Sequence, residues 1–304
     1  MKKIYRLNSI SEFHKFSNLP KPEHPLISLV DYGNVQYQID SNEIRWIQDF
    51  YTIGLKRNIR GKFNYGQQAY DFNEGVLAFV SPHQILHLDI NQNVEVNPTG
   101  WLLLIHPDFL WNTPLAKNIK IYDFFGYAVN EALFLSEKEE NVIVDILKNI
   151  QREYQSNIDK FSQDIIISQI GLLLNYAERY YERQFITRKI TNHQILIRLE
   201  ETLTEHFSNE NSINKGIPTV KQIAGRLNLS PNYLSSMLKV ITGQSTQQHI
   251  HSKLIEKAKE KLSATGLSVS EIAYELGFEH PASFSKLFKS KTNLSPLKFR
   301  QSFN

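Results

Sequence analysis

The sequence predicts an α+β chain of two domains, a β-barrel half carrying a pair of helices and then an all-α half. Three observations lead there. Between Leu26 and Pro107 the apolar residues fall in short β-branched and aromatic segments; from His106 onward the period changes to 3.6; and near the C-terminus one helical layout occurs twice. At 304 residues the chain suits two domains of about 100–200 residues each, and 41% hydrophobic residues can build cores. The absence of cysteine excludes disulfides and thiolate metal sites and suits a reducing, cytoplasmic setting. No apolar run approaches the ~18 residues of a membrane span, and MKKIYRLNSISEF lacks the apolar centre of a signal peptide, so no membrane partner is expected.

Strands are expected at Leu26–Val30, Arg45–Leu55, Phe63–Phe72, Val76–Val80, Ile85–Ile90 and Trp101–Ile105, separated by Gly, Asn, Pro and Asp. Strands so spaced, without helical periodicity between them, fit a sandwich or small barrel. Helical periodicity then runs through the aromatic-rich Tyr122–Leu135. Ser136-x-x-Glu139 is a capping box, and Val142, Ile143, Ile146, Leu147, Ile150 and Tyr154 make one stripe behind it. After a break near Asn157 a second stripe reads Phe161, Ile165, Gln169, Leu172, Tyr176 and Tyr180. Ile166, Ile167, Leu173 and Leu174 add more apolar surface than one contact requires. The polar run 183–192 is expected to be a linker. Ile195, Leu196, Leu199, Leu203 and Phe207 define the next helix.

In Val269–Arg300, Ser268 and Glu271 form a capping box before the buried face Ile272, Ala273 and Leu276. Gly277 ends that helix in a tight turn, and Pro281 opens another whose inward residues are Phe284, Leu287 and Phe288. Ser295-Pro296 starts a third. Thr219–Ile250 repeats this layout. Val220, Ile223, Ala224 and Leu227 pair with Val269, Ile272, Ala273 and Leu276 at an offset of 49, and Leu234, Leu238 and Ser245 pair with Phe284, Phe288 and Ser295 at 50. Between the units His249–Ala264 reads as one helix. Sixteen residues at ~1.5 Å each span about 24 Å, enough with the units' own width to separate two helices by one DNA turn of ~34 Å.

The string A-x-x-x-G-F, then F-x-x-x-F-K, then S-P-x-x-[FY]-R resembles the double helix-turn-helix of AraC/XylS transcription regulators. The resemblance covers roughly the last hundred residues closely and the first half loosely. It implies a cupin-like sensor and dimerisation domain over 1–182 (barrel about 26–107, helices about 108–182), a linker at 183–192 and a DNA-binding domain over 193–304. It implies double-stranded promoter or operator DNA as partner, a homodimer formed through the helical pair, RNA polymerase as a partner if the protein is an activator, and a small-molecule effector in the barrel. By motif position the base-facing residues are Asn232, Ser235 and Ser236 in the first recognition helix and Pro281, Ala282, Ser283 and Lys286 in the second. The family's usual linker arginine is Lys253 here.

Charge agrees with such a partner. From His193 onward there are 14 Lys+Arg against 9 Asp+Glu, a local +5. The rest carries 20 against 22, or −2. Lys221, Lys239, His280, Lys289, Lys291, Lys298 and Arg300 are the candidate phosphate contacts. Neither base-facing set contains arginine, the commonest reader of guanine, so modest direct readout and a preference for A·T-containing sites are expected.

In the first half, Trp46, Tyr51, Tyr65, Tyr70 and Phe79, with His83 and His87, either line an effector cavity or simply fill the barrel. His83, His87 and His106 do not form the H-x-H pair with a downstream Glu and further His of a metal-binding cupin. Neither a catalytic triad nor a carboxylate pair stands out, so no metal, cofactor or enzymatic activity is expected. A metal-dependent cupin enzyme and a DNA-binding regulator gated by a protein partner are the alternatives.

Overall fold

The computed structural model describes residues 4–37, 43–57, 75–89, 99–128, 131–156, 159–208 and 216–302. The chain divides into two units, Met1–Gln184 and Phe185–Asn304. The first mixes strands and helices and the second is helical, so the chain is α+β.

Unit one holds two sheets. A three-stranded sheet has the order β1 (Tyr5–Leu7), β3 (Glu43–Gln48), β6 (Ile85–Asp89), with β1 parallel to β3. An antiparallel five-stranded sheet runs β2 (Ile27–Asp31), β7 (Thr99–Ile105), β4 (Tyr51–Arg57), β5 (Val76–Val80), β8 (Leu133–Phe134). Among the described residues these strands form two sheets and no closed barrel, so the cupin-like barrel expected over about 26–107 is not confirmed. The strand expected at Phe63–Phe72 lies outside the described residues.

The long strand expected at Arg45–Leu55 is two. Asp49 and Phe50 make a corner at which the chain leaves the small sheet for the large one, and Gln48 pins it. Buried to 1% exposure, Gln48 accepts from Trp46 Nε1 (3.1 Å) and donates to the Phe50 carbonyl (3.0 Å) and Thr52 Oγ1 (2.6 Å). A buried amide so fully bonded avoids the desolvation penalty that would otherwise forbid it there.

Both faces of the large sheet are covered, which explains the unbroken apolar run Leu102–Ile105 on β7. Leu102 and Leu104 pack with Leu7, Ile44, Trp46 and Phe50 and with Ile10 and Phe13 of α1 (Ile10–Phe16). On α1, buried His14 bonds Ser28 Oγ through Nε2 (3.0 Å) and the Pro20 carbonyl through Nδ1. Burial holds its pKa below the usual histidine value. Leu29 of β2 meets α3 (Glu137–Gln155), whose Tyr154 hydroxyl accepts from the Leu29 amide and donates to its carbonyl.

The Ser136–Glu139 capping box starts α3 as expected, and Ile143, Ile146, Leu147, Ile150 and Tyr154 are buried. Upstream, the described residues between Tyr122 and Leu135 make a 3-10 turn at Asp123–Gly126 and then β8, with no α-helix among them. The preceding α2 (Pro114–Asn118) is a single turn. α4 (Ser162–Thr187) runs antiparallel to α3, since Arg183 near its end donates to Glu139 at the start of α3 (3.1 and 2.6 Å). Its buried face is Ile166, Ile167, Ile170, Leu173, Leu174, Ala177 and Tyr181, whereas Phe161, Ile165 and Leu172 are exposed. The expected stripe is thus out of phase at Phe161, Ile165 and Leu172, while its last member, Tyr180, is buried. With apolar residues around most of the helix, periodicity could not choose the inward side.

Residues 183–192, expected as a linker, are helical on either side of Arg188, in α4 and in α5 (Lys189–Ser208). No helix among the described residues is long and apolar enough to cross a membrane.

Candidate nucleic-acid interface

Unit two is built from local signals that each find their partner. Thr219 and Gln222 close a capping box at the start of α6 (Val220–Leu227), Ser245 and Gln248 one at the start of α8 (Thr246–Ala264), and Ser268 and Glu271 one at the start of α9 (Val269–Glu275). Ser230 caps α7 (Pro231–Thr242) by accepting from the Tyr233 amide, and Ser295 caps α11 (Pro296–Gln301) by accepting from that of Lys298. α10 (Pro281–Thr292) follows His280, which makes no side-chain cap. α8 starts three residues before the expected His249, because Ser245 supplies the cap. Its 19 residues span about 28 Å.

The two helix-turn-helix units α6–α7 and α9–α10 close alike. Leu229 N donates to Ala224 O, and 49 residues on Phe278 N donates to Ala273 O, both at 3.0 Å. The residue in between is left-handed in each, Asn228 at φ 59° and Gly277 at φ 87°. Inward faces are fully buried: Tyr233, Leu234, Met237 and Leu238 on α7, Phe284 and Phe288 on α10. Rings 278, 284, 288 and 299 stack in succession at centroid spacings of 5.4, 5.7 and 5.4 Å. Each fully buried Leu or Phe side chain contributes about 1.5–3 kcal/mol.

The opposite faces carry the sequence candidates. Asn232, Ala282, Ser283 and Lys286 are exposed, and Ser235, Ser236 and Pro281 are half-buried. Ser235 is already engaged, its Oγ lying 3.0 Å from Thr246 Oγ1 at the start of α8. Lys221, Lys239, His280, Lys289, Lys291 and Lys298 are exposed, and among the described residues none of these lysines is paired with a carboxylate.

Arg300 differs. Its Nε donates to the Leu262 carbonyl (3.2 Å) and an Nη to that of Leu267 (2.6 Å), satisfying acceptors at and beyond the end of α8. That geometry turns it from the phosphate contact expected into a fastener. Lys253, at the family's arginine position, bonds Glu256 on its own helix (3.0 Å), and Lys261 of α8 bonds Glu275 of α9 (2.7 Å). Burial lowers the pKa of His249 and, with a smaller push from the Lys291 ammonium, of His251. Both stay neutral near pH 7 and bond Thr242 Oγ1 and Gln247 Nε2.

A helix-turn-helix domain family model matches residues 223–302. The HTH-type transcriptional activator RhaS of Salmonella schwarzengrund (strain CVM19633) is 30% identical over 262 residues, 83% of this chain and 86% of that protein. The chain belongs to the AraC/XylS family of transcription regulators. The raffinose operon transcriptional regulatory protein RafR of Pediococcus pentosaceus is 34% identical over 84 residues, 28% of this AraC-type chain and 30% of RafR. Several curated relatives are matched over a tenth to a half of their length, from 11% of Bacillus subtilis YtdP to 50% of a regulator of Pseudoalteromonas carrageenovora. The C-terminal domain of AraT, a response regulator from Geobacillus stearothermophilus, is 33% identical over 36% of this chain and 84% of that one, with a TM-score of 0.31, below the level at which folds can be equated.

Of the effector candidates in the first half, Trp46, Tyr51, Phe79 and His83 have described side chains, and these do not gather around one cavity. Trp46 packs with Phe16 and Tyr37 in the small-sheet core, whereas Tyr51 and Phe79 pack on Phe124 and Phe125 beside the large sheet. Tyr65 and Tyr70 lie outside the described residues, as does the His87 side chain. His83 is exposed at φ 65°, its Nδ1 3.0 Å from Asp49. His106 caps a short turn by accepting from the Asp108 amide. Among the described residues no three His, Asp or Glu side chains gather as a metal site would require. Sequence reasoning missed a cleft of about 330 Å³ whose lining includes His24, Phe109, Tyr154, Lys160 and Gln163. Its walls come from four separate segments, and no local pattern announces such a meeting.

Proposed function

We propose that this AraC-type chain regulates transcription by laying α7 and α10 into successive major grooves of a promoter duplex. One observation carries the reading: each recognition helix buries one face completely and keeps the side chains at its start, Asn232 on α7 and Ala282, Ser283 and Lys286 on α10, in solvent. Asn232 bonds adenine bidentately, Ala282 meets a thymine methyl, and Lys286 reaches guanine O6 and N7, with Ser236 and Ser283 as adaptable partners. Ser235 contributes less, because Thr246 competes for its hydroxyl. Lys221, Lys239, His280, Lys289, Lys291 and Lys298 hold phosphates, and Arg300 holds the domain together. Selection from random duplex DNA by the full-length protein tests this. We expect an enriched site of two A·T-containing half-sites about one turn apart, and folded protein that enriches nothing would end the reading.

Unit one senses and dimerises. Phe161, just before α4, and Ile165 and Leu172 on it are exposed and recur at intervals of four and seven, one stripe suited to a second copy of the same helix. Sedimentation of Ile165→Asp/Leu172→Asp should show monomer where the wild type shows dimer. A small effector sits in unit one as well. The cleft bordered by Phe109, Tyr154 and Gln163 falls in the usual range of ligand sites, ≈300–1,000 Å³, and replaces the scattered aromatic set as its location. Any effector that changes operator affinity should lose that effect in Gln163→Trp.

A further inference from the structure

The turn of the second helix-turn-helix meets the chain that leads into the first. A Cβ on Gly277 would lie 2.6 Å from the carbonyl carbon of Gly216 and 2.9 Å from both its Cα and Ile217 N, so the two backbones touch there. Left-handed geometry does not by itself demand glycine at this point, since Asn228 meets the same need in the first turn. Gly216 is itself left-handed at φ 65°, and its carbonyl oxygen accepts from His206 Nε2 of α5 at 2.9 Å. Two residues after Ile217, Thr219 caps α6. The chain that enters the first unit is thus seated on the turn of the second.

We propose that the Gly216–Gly277 seat is a positioning device that sets the rotational phase between α7 and α10, an inference that rests on the DNA-binding reading above. α8 alone leaves that phase to the connection Thr265-Gly266-Leu267, where Gly266 is exposed and a Cβ on it would meet nothing within 4 Å. Arg300 ties α11 to the end of α8, and Lys261–Glu275 ties the last residue of α9 to α8, so both ties run through α8 itself. The seat adds a contact that bypasses α8, joining the turn just after α9 directly to the chain that enters α6. Ties through α8 hold each unit to that helix, and the seat holds the two units to each other. Gly216 and Gly277 also border a cleft of about 630 Å³ with His280 and Ser283, so the seat adjoins the end of α10 that meets base edges.

The test uses the full-length protein and the operator that it selects from random duplex DNA. Inserting or deleting one base pair between the half-sites turns one against the other by about 34–36°. Wild type should lose at least about tenfold in affinity for either change. Gly216→Val, which cannot keep its left-handed backbone, and His206→Ala, which frees the Gly216 carbonyl, should lose under about threefold, with affinity for an isolated half-site unchanged. Both lie outside α7 and α10, and His206→Ala decides the matter should Gly216→Val fail to fold. Variants that bind more weakly or melt earlier yet keep the wild-type spacing penalty overturn the seat, because that is what a merely structural role predicts. A wild type that enriches no sequence overturns the DNA-binding reading itself, and the seat with it.

Discussion

The two helix-turn-helix units of this chain solve one geometric problem with exchanged parts. The first turns through Asn228 and ends its recognition helix at Gly243; the second turns through Gly277 and ends at Asn293, all four left-handed. Backbone geometry fixes where such residues must stand, and neighbours decide which kind. Nothing lies within 4 Å of a Cβ on Gly243, whereas one on Gly277 would strike Gly216. The units also differ in their anchoring. α7 has a serine cap, and its Ser235 hydroxyl is bonded to α8; α10 has no side-chain cap and replaces Leu234 and Leu238 with Phe284 and Phe288. The first reader is held by polar ends, the second by its rings.

Core truncation should show that contrast at its largest. Phe284→Ala is expected to cost about 3–5 kcal/mol and Leu234→Ala about 2–5, with the aromatic deletion the worse of the two. Urea unfolding followed in the far ultraviolet measures both, and equal losses would break the contrast. Exchanging the turn residues comes next. Gly277→Asn forces a side chain against Gly216 and should lose about 1–3 kcal/mol, as overpacking does, while Asn228→Gly should change stability by less than about 1. If thermal melts shift equally for both, the neighbour argument fails. The caps give a smaller and opposite pair: Ser230→Ala should cost about 1 kcal/mol, and His280→Ser should gain about 0.5–1 by supplying the missing oxygen. Smallest is the charge difference. Lys289→Gln/Lys291→Gln should flatten log Kd against log salt by about 0.9 for each phosphate no longer neutralised, twice the change for Lys239→Gln, in anisotropy titrations from about 50 to 200 mM salt.

Unit two was legible almost residue by residue because its decisive interactions are local. A cap and its N3 partner lie three positions apart, and a proline at N1 or a glycine at a turn carries its meaning without any distant partner. Even there the limit is visible. Arg300 reads as one more cation, and only its reach to carbonyls 33 and 38 residues earlier reveals a fastener. Unit one depends on distant meetings. The parallel pairing of β1 with β3 joins Tyr5 to Trp46, and the corner at Asp49 and Phe50 hides inside Arg45–Leu55, which reads as one strand. On α4 the inward side is set by what packs against it, so the exposed stripe of Phe161, Ile165 and Leu172 reads as core until that packing is seen.

Glu140 on α3 accepts from the Arg57 side chain with one carboxylate oxygen and from the Gly75 amide, at 2.9 Å, with the other. A side chain at position 75 would collide with that carboxylate and with Leu55, so the pairing of a bare amide with a buried acid is built into both residues. One anion thus knots the end of β4 to the start of β5. Because both ties come from one carboxylate, its loss would free the end of one strand and the start of the next together.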